Sequence, residues 1–117
     1  MGVERAVNAA PRFADLATQY ARDVAEGLVI ACKWHRLACQ RHLNDLVRAS
    51  VGNFPYTFDP ELTDATGRLY RPAQRICDFA QLMPHIKGHW ASKGERIKLE
   101  PWQVFALSVL FGWIHRD

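Results

Sequence analysis

Few of the short motifs that identify an enzyme are found in this chain of 117 residues. It has no G-x-S-x-G motif, which exposes a nucleophilic serine, and no G-x-x-x-x-G-K-[ST] loop, which holds nucleotide phosphates. Its acidic residues are scattered, and no two of them have a spacing that marks a catalytic pair. We therefore expect no hydrolytic chemistry from this chain alone.

Cysteine is scarce, and the chain has no recognisable targeting segment. The three cysteines, Cys32, Cys39 and Cys77, include no C-x-x-C spacing. An odd number of cysteines without that spacing is typical of reduced thiols in a cytoplasm. The residues that follow Met1 include no apolar run of signal-peptide length. The pattern favours a cytoplasmic protein.

The composition is that of a folded globular chain. Hydrophobic residues make up 49% and charged residues 23% of the sequence, and there are no repeats or low-complexity tracts. The formal net charge of +3 suits a nucleic-acid partner but does not by itself indicate one.

Hydrophobic spacing predicts a mainly α fold, a small helical domain of about four helices over residues 1–117. Apolar residues recur at steps of three and four in each helical segment, and Pro or Gly bounds most of the segments. The middle of the chain is rich in turn residues, with one or two very short strands, at Tyr56–Phe58 and at 96–99. The predicted helices cover about 12–26, 28–49, 72–83 and 101–114.

The second predicted helix has two apolar faces. One face carries Leu28, Cys32, Cys39, Leu43 and Leu46. The opposite face carries Ile30, Trp34 and Leu37. A helix that is apolar on two sides has to be covered twice, by its own domain or by a partner. Basic residues occupy the strips between the faces: Lys33, Arg36, Arg41 and Arg48.

Two groups of residues resemble metal ligands. Cys32, His35, Cys39 and His42 form C-x2-H-x3-C-x2-H, but on one helix they span about 15 Å, too far for a single zinc ion. At most two of them can share a metal with ligands from elsewhere, so we interpret the cysteines as buried and the histidines as solvated. His85 and His89 enclose Gly88 and no Glu, which favours a polar loop in which Trp90 is packed.

The segment from Pro101 to Ile114 is almost entirely apolar, and Pro101 suits the first turn of a helix. Gln103 there has two interpretations: its amide caps the helix, or it pairs with the N6/N7 edge of adenine. Trp102 beside it either packs or stacks on a base. Chemistry alone favours capping and packing.

Four blocks of the sequence, in order and roughly in spacing, resemble the N-terminal region of tailed-phage terminase large subunits. The blocks are "YARDVAEGLVIACKWHRLACQRHLNDL", "YTFD", "ICDFAQLMPHIKGHWA" and "IKLEPWQVFALSVLFGW". Members of that family are ATP-driven motors that package viral DNA and cut it. The resemblance covers most of the chain, although the connector at 59–71 is longer than is usual in the family.

The resemblance implies an adenine contact from Gln103 and, less directly, from Trp102. It places the chain before the family's P-loop, so the chain is expected to be a truncated or prophage-derived N-terminal region that binds ATP weakly or not at all. Magnesium and nuclease chemistry would belong to the full-length family protein alone. The implied partners are the terminase small subunit, the portal protein and viral DNA in the cytoplasm of a bacterial host, with no membrane.

The segment 104–114 is too short to span a membrane. It is interpreted as a helix that would be buried against a sheet not encoded here, which allows self-association. The alternative is a small helical interaction module that binds DNA or a phage partner through Lys33, Arg36, Arg41 and Arg48.

Overall fold

The computed structural model describes residues 11–84 and 94–116, which form four helices and four short strands, so the predicted mainly α class is confirmed. Two of the helices lie before the strand-containing middle of the chain and two lie after it. In chain order the elements are α1 (Phe13–Ala25), α2 (Lys33–Ser50), β1 (Tyr56–Phe58), β2 (Leu62–Thr63), β3 (Leu69–Tyr70), α3 (Pro72–Leu82), α4 (Pro101–Gly112) and β4 (Trp113–His115).

Helix α1 presents a narrow face of small residues to the rest of the protein. Ala14, Ala17, Ala21 and Val24 recur at steps of three and four, and all are buried. Small side chains at these positions let the neighbouring helices approach closely. The helix ends where Gly27 adopts φ +82°, a backbone conformation that suits glycine.

Helix α2 begins at Lys33, so the predicted start at 28 is wrong. The N–H of Leu28 donates to the Asp23 carbonyl oxygen at 2.8 Å, which makes the segment after Gly27 a turn that closes α1. Cys32 then precedes α2 in an extended conformation, with φ −69° and ψ 164°. A turn and the start of a helix therefore occupy the segment for which the apolar spacing predicted one continuous helix.

Helix α4 ends at Gly112, two residues before its predicted end, because Trp113–His115 forms strand β4. This strand pairs antiparallel with β1, with Tyr56 opposite His115 and Phe58 opposite Trp113. The predicted extended segment Tyr56–Phe58 is therefore found, whereas the strand predicted at 96–99 is reduced to one bridge between Pro84 and Arg96.

The core lies around α4, which packs against α1 on one side and α3 on another. Val104, Phe105 and Ser108 of α4 are buried there. The expectation that 104–114 lacks any cover is thus wrong for one face of the helix. The opposite face remains exposed, and Leu110 keeps 73% of its surface accessible.

The connector at 59–71 folds into a hairpin rather than an open loop. Strands β2 and β3 pair antiparallel, and the Asp64 carboxylate accepts hydrogen bonds from the backbone N–H groups of Thr66 and Arg68. A hydrogen bond from the Thr66 hydroxyl has the largest effect on the Asp64 carboxyl and lowers its pKa. The two backbone hydrogen bonds lower that pKa further. Gly67, at φ +86°, completes the turn.

Candidate functional site

A groove of about 650 Å³ lies between α2 and α4. His42 and Phe105 are the most buried residues in it, and Ala38 of α2 and Ala106 of α4 lie on its two sides. Aromatic side chains from β1, β4 and the loop before β1 also line it. They are Phe54, Tyr56 and Trp113. The groove is therefore open, apolar and walled by two helices.

The orientation of His42 is fixed by hydrogen bonds to two other elements. The indole Nε1–H of Trp113 in β4 donates to His42 Nδ1 at 3.3 Å. Because an indole N–H can only donate, Nδ1 carries no proton in this arrangement. The proton is on Nε2, which lies 3.2 Å from the hydroxyl oxygen of Thr18 in α1 and donates to it.

Burial keeps His42 neutral. Only 2% of its surface is exposed, and the desolvation lowers its pKa from 6.5 to about 4, a shift that nearby Asp45 opposes. The rings of Phe58, Phe105 and Trp113 surround the imidazole at centroid distances of 4.7, 5.8 and 5.7 Å. The expectation of a solvated His42 is therefore wrong, because long-range partners enclose it.

The other three members of the possible zinc set have separate roles. Cys32 is exposed at the start of α2, whereas Cys39 is buried. His35 Nε2 lies 3.0 Å from the Tyr20 hydroxyl and 3.9 Å from Cys39 Sγ. Within the described residues no group of three or more His, Cys, Asp or Glu side chains is placed to hold a metal ion.

Neither buried cysteine is activated as a nucleophile. Burial raises the pKa of the Cys39 thiol. The pKa of the Cys77 thiol is also raised, chiefly by burial, although a contact between its Sγ and Ser108 Oγ at 3.8 Å opposes the shift. Protonated thiols in an apolar core behave as small hydrophobic side chains. The expectation of burial is confirmed for Cys39 and wrong for Cys32, which is exposed.

Trp102 and Gln103 lie in the first turn of α4. The side-chain oxygen of Gln103 accepts a hydrogen bond from the backbone N–H of Glu100 at 2.8 Å, as part of a capping box. This is the capping role that the sequence favoured for Gln103. Trp102 is 54% exposed, so one of the two residues for which the resemblance implies an adenine contact is open to solvent.

The basic residues of α2 lie on its solvent side, as predicted. Lys33, Arg36, Arg41 and Arg48 are all exposed. Asp45 lies 3.8 Å from the Arg41 guanidinium and 3.3 Å from that of Arg48, so a single carboxylate faces two cations. The second apolar face of the helix is exposed as well, with Trp34 at 74%.

A buried junction around Asp59 was not predicted from the sequence. Its carboxylate accepts hydrogen bonds from Arg12 at 2.9 Å and from the Ala73 backbone N–H, also at 2.9 Å, so it caps the start of α3. Its own N–H donates to the Gly112 carbonyl oxygen at 2.7 Å, at the end of α4. Asp59 has φ 50°, which aspartate tolerates better than most residues. The Asp-Pro dipeptide after a short strand was the available signal.

His85, His89 and Trp90 lie outside the described residues, so the loop predicted for them stays a prediction. In the described part of the chain, no helix combines the length and apolar content needed to cross a membrane. No family model, curated protein or solved structure matches the chain.

Proposed function

We propose that this chain is a helical region of an ATP-driven DNA-packaging motor of the terminase large-subunit kind, in the cytoplasm of a bacterial host. In that role it contributes an adenine contact and no phosphate or nuclease chemistry. The motor's small subunit, its portal protein and viral DNA would be the partners. The observation that carries the proposal is that Trp102 and Gln103 lie next to each other in the first turn of α4. This is the block for which the resemblance implies the adenine contact.

The two side chains fit a base better than a whole nucleotide. The exposed Trp102 ring offers a surface for stacking, and the Gln103 amide carries a donor beside an acceptor. The Gln103 side-chain oxygen already accepts a hydrogen bond from the Glu100 backbone N–H, but a carbonyl oxygen has a second lone pair that can accept another. The sequence contains no glycine-rich phosphate loop, so most of the affinity for ATP would have to come from elsewhere in the motor.

A comparison of two Gln103 variants separates the adenine contact from the helix cap. Gln103→Glu keeps the acceptor for the Glu100 N–H and loses the amide donor, whereas Gln103→Ala loses both. Saturation-transfer NMR with adenosine, and with guanosine as the control, is sensitive to weak binding. We expect the wild-type chain to give a weak signal that is selective for adenosine. Both variants should lose this signal, whereas Gln103→Glu should still unfold at the wild-type denaturant midpoint.

Two outcomes would count against the adenine contact. One is equal signals from adenosine and guanosine with the wild-type chain. The other is an adenosine signal that Gln103→Glu and Trp102→Ala both leave unchanged.

A second candidate is a helical module that binds DNA, because the four cations of α2 are exposed along one helix. From Lys33 to Arg48 they extend over about 22 Å, enough to follow several phosphates. Removing one cation that binds a phosphate should reduce the salt dependence of binding by about one unit in the log–log slope. Duplex binding that weakens with Arg36→Ala, but not with Arg68→Ala on the hairpin, would favour this candidate.

A further inference from the structure

The two walls of the α2–α4 groove differ in charge. On α4 the whole segment Pro101–Gly112 contains no charged residue. On α2 the groove is lined by Arg41 and Asp45, and Arg48 lies over the Phe54 ring at its end, 4.4 Å from the centroid. Asp45 is the single acidic residue of the two helices. The groove thus has an apolar side and a side with excess positive charge.

The groove is long enough for a short helix. Ala38, Arg41 and Asp45 line the groove and recur at steps of three and four, which places them on one face of α2. Over these residues α2 rises about 10 Å, or two helical turns. On α4 the facing side includes Ala106, Val109 and Leu110.

The backbone of the groove walls restricts the conformation of any peptide that binds there. Both walls are helices, whose backbone N–H and C=O groups are paired within the helix apart from the ends. An extended peptide would find no ladder of hydrogen bonds on them, and strands β1 and β4, which also line the groove, are only three residues long and pair with each other. A helical peptide satisfies its own backbone and needs the groove only for its side chains.

We propose that the α2–α4 groove binds an amphipathic helix of about two turns, with apolar side chains toward α4 and carboxylates toward Arg41 and Arg48. The apolar residues would cover Leu110 and Ala106. The carboxylates would face the two guanidinium groups that share the Asp45 carboxylate. This inference is carried by the groove alone and does not depend on the adenine contact or on the motor assignment.

The charges disfavour the other occupants. In a symmetric dimer that used this groove on both copies, the second copy would present α2 and α4, and neither helix carries the row of carboxylates that complements the groove. Duplex DNA would place phosphates along the uncharged α4 wall, where no cation could pair with them. An acidic amphipathic helix satisfies both walls.

The test uses two fluorescein-labelled peptides, each cross-linked into a helix. Both have leucines at positions i, i+3, i+4 and i+7, and the remaining positions are glutamate in one peptide and lysine in the other. Fluorescence anisotropy with the full chain should show the glutamate peptide binding at least about tenfold more tightly. Arg41→Glu should reverse that preference, because it exchanges the charge at the groove.

Matched leucine variants locate the site. Leu110→Glu should weaken binding of the glutamate peptide at least about tenfold. Leu82→Glu, at the exposed end of α3 and outside the groove, should change it less than about twofold. Both leucines are largely exposed, at 73% and 61%, so both variants should fold, which circular dichroism would verify.

Several results would overturn the proposal. These are equal binding of the two peptides, no binding of either, or equal effects of Leu110→Glu and Leu82→Glu. A dimer in sedimentation that Leu110→Glu converts to a monomer would identify a second copy as the occupant. Displacement of the glutamate peptide by duplex DNA would identify nucleic acid.

Discussion

His42 connects three elements through one uncharged imidazole. Its two ring nitrogens bond to Trp113 of β4 and Thr18 of α1, while the residue itself belongs to α2. A protonated ring would turn Nδ1 from an acceptor into a donor that points at another donor. The interaction with Trp113 therefore depends on the neutral form.

This dependence predicts that the protein loses stability in mild acid. The pKa of His42 is about 4 in the fold and 6.5 ordinarily, so the unfolded chain binds more protons between these values. The stabilisation is complete above pH 6.5 and is lost as the pH falls toward 4. We expect the free energy of unfolding to drop by about 2 kcal/mol from pH 7 to pH 5, measured by urea denaturation.

The control for this prediction is His42→Gln, whose amide can accept from Trp113 and donate to Thr18 without titrating. It should start from a lower stability at pH 7 and lose distinctly less than the wild type between pH 7 and pH 5. Equal losses in the two proteins would show that other groups cause the acid sensitivity.

The sequence predicted burial correctly at Cys39 but not at every position of α2. It failed for His42, because the rings that bury it come from β1, α4 and β4 and are distant in sequence. Gln103 was predictable as a cap because its partner Glu100 is three residues away.

At the scale of elements, the end of α4 is packed too tightly for a side chain. A Cβ atom added at Gly112 would lie 2.8 Å from Phe58 Cε1 and 3.2 Å from Ala73 Cβ. Gly112→Ala should therefore lower the free energy of unfolding by about 1–2 kcal/mol, although alanine favours helix by about 1 kcal/mol. Thermal or urea denaturation would measure the difference.

A double-mutant cycle identifies the cause of that loss. In a Phe58→Leu background the clash is smaller, so Gly112→Ala should cost less than it does in the wild type. The same cost in both backgrounds would rule out the Phe58 contact as its origin.

A second loss of stability is predicted for substitution of Asp59, which lies between the start of α3 and the end of α4. Asp59→Ala leaves the N–H of Ala73 and the Arg12 guanidinium without their carboxylate partner and places alanine at φ 50°. It should cost about 3 kcal/mol of unfolding free energy. Asp59→Asn keeps an acceptor and tolerates that backbone conformation, so its loss should be less than half as large. Equal losses from the two variants would contradict the capping role.

Helix existence was predictable from the sequence, and helix ends were less so. The run after Gly27 contains no proline or glycine, so nothing local indicated that α2 starts at Lys33 after a cysteine. Cysteine is not among the residues that commonly precede a helix, which are Ser, Thr, Asp and Asn. The end of α4 depends on strand pairing between Tyr56–Phe58 and Trp113–His115, and no local signal reports such pairing.

At the scale of the whole molecule, α4 has two roles on opposite faces. One face holds α1 and α3 together, and the other leaves Leu110 and Trp102 exposed. The sequence indicated an apolar helix but could not tell which of its faces the fold covers, because that depends on how α1 and α3 are placed. The proposed adenine contact and the proposed peptide groove both use the exposed part.

We also expect that the purified chain does not turn over ATP. It contains no phosphate-binding loop, and no acidic magnesium site is recognisable in its sequence. A coupled assay for released phosphate should show no activity above a protein-free blank. Turnover that Gln103→Ala abolishes would contradict this expectation and would require a catalytic site within these residues.

The most direct test of the motor assignment is to read the genomic DNA that follows the codon for Asp117, in all three frames. We expect a G-x-x-x-x-G-K-[ST] motif within the next few dozen codons, since the resemblance places this region just before the P-loop. Such a motif would connect Trp102 and Gln103 to an ATP site. Unrelated sequence in all three frames would contradict the assignment and leave the helical interaction module as the function to pursue.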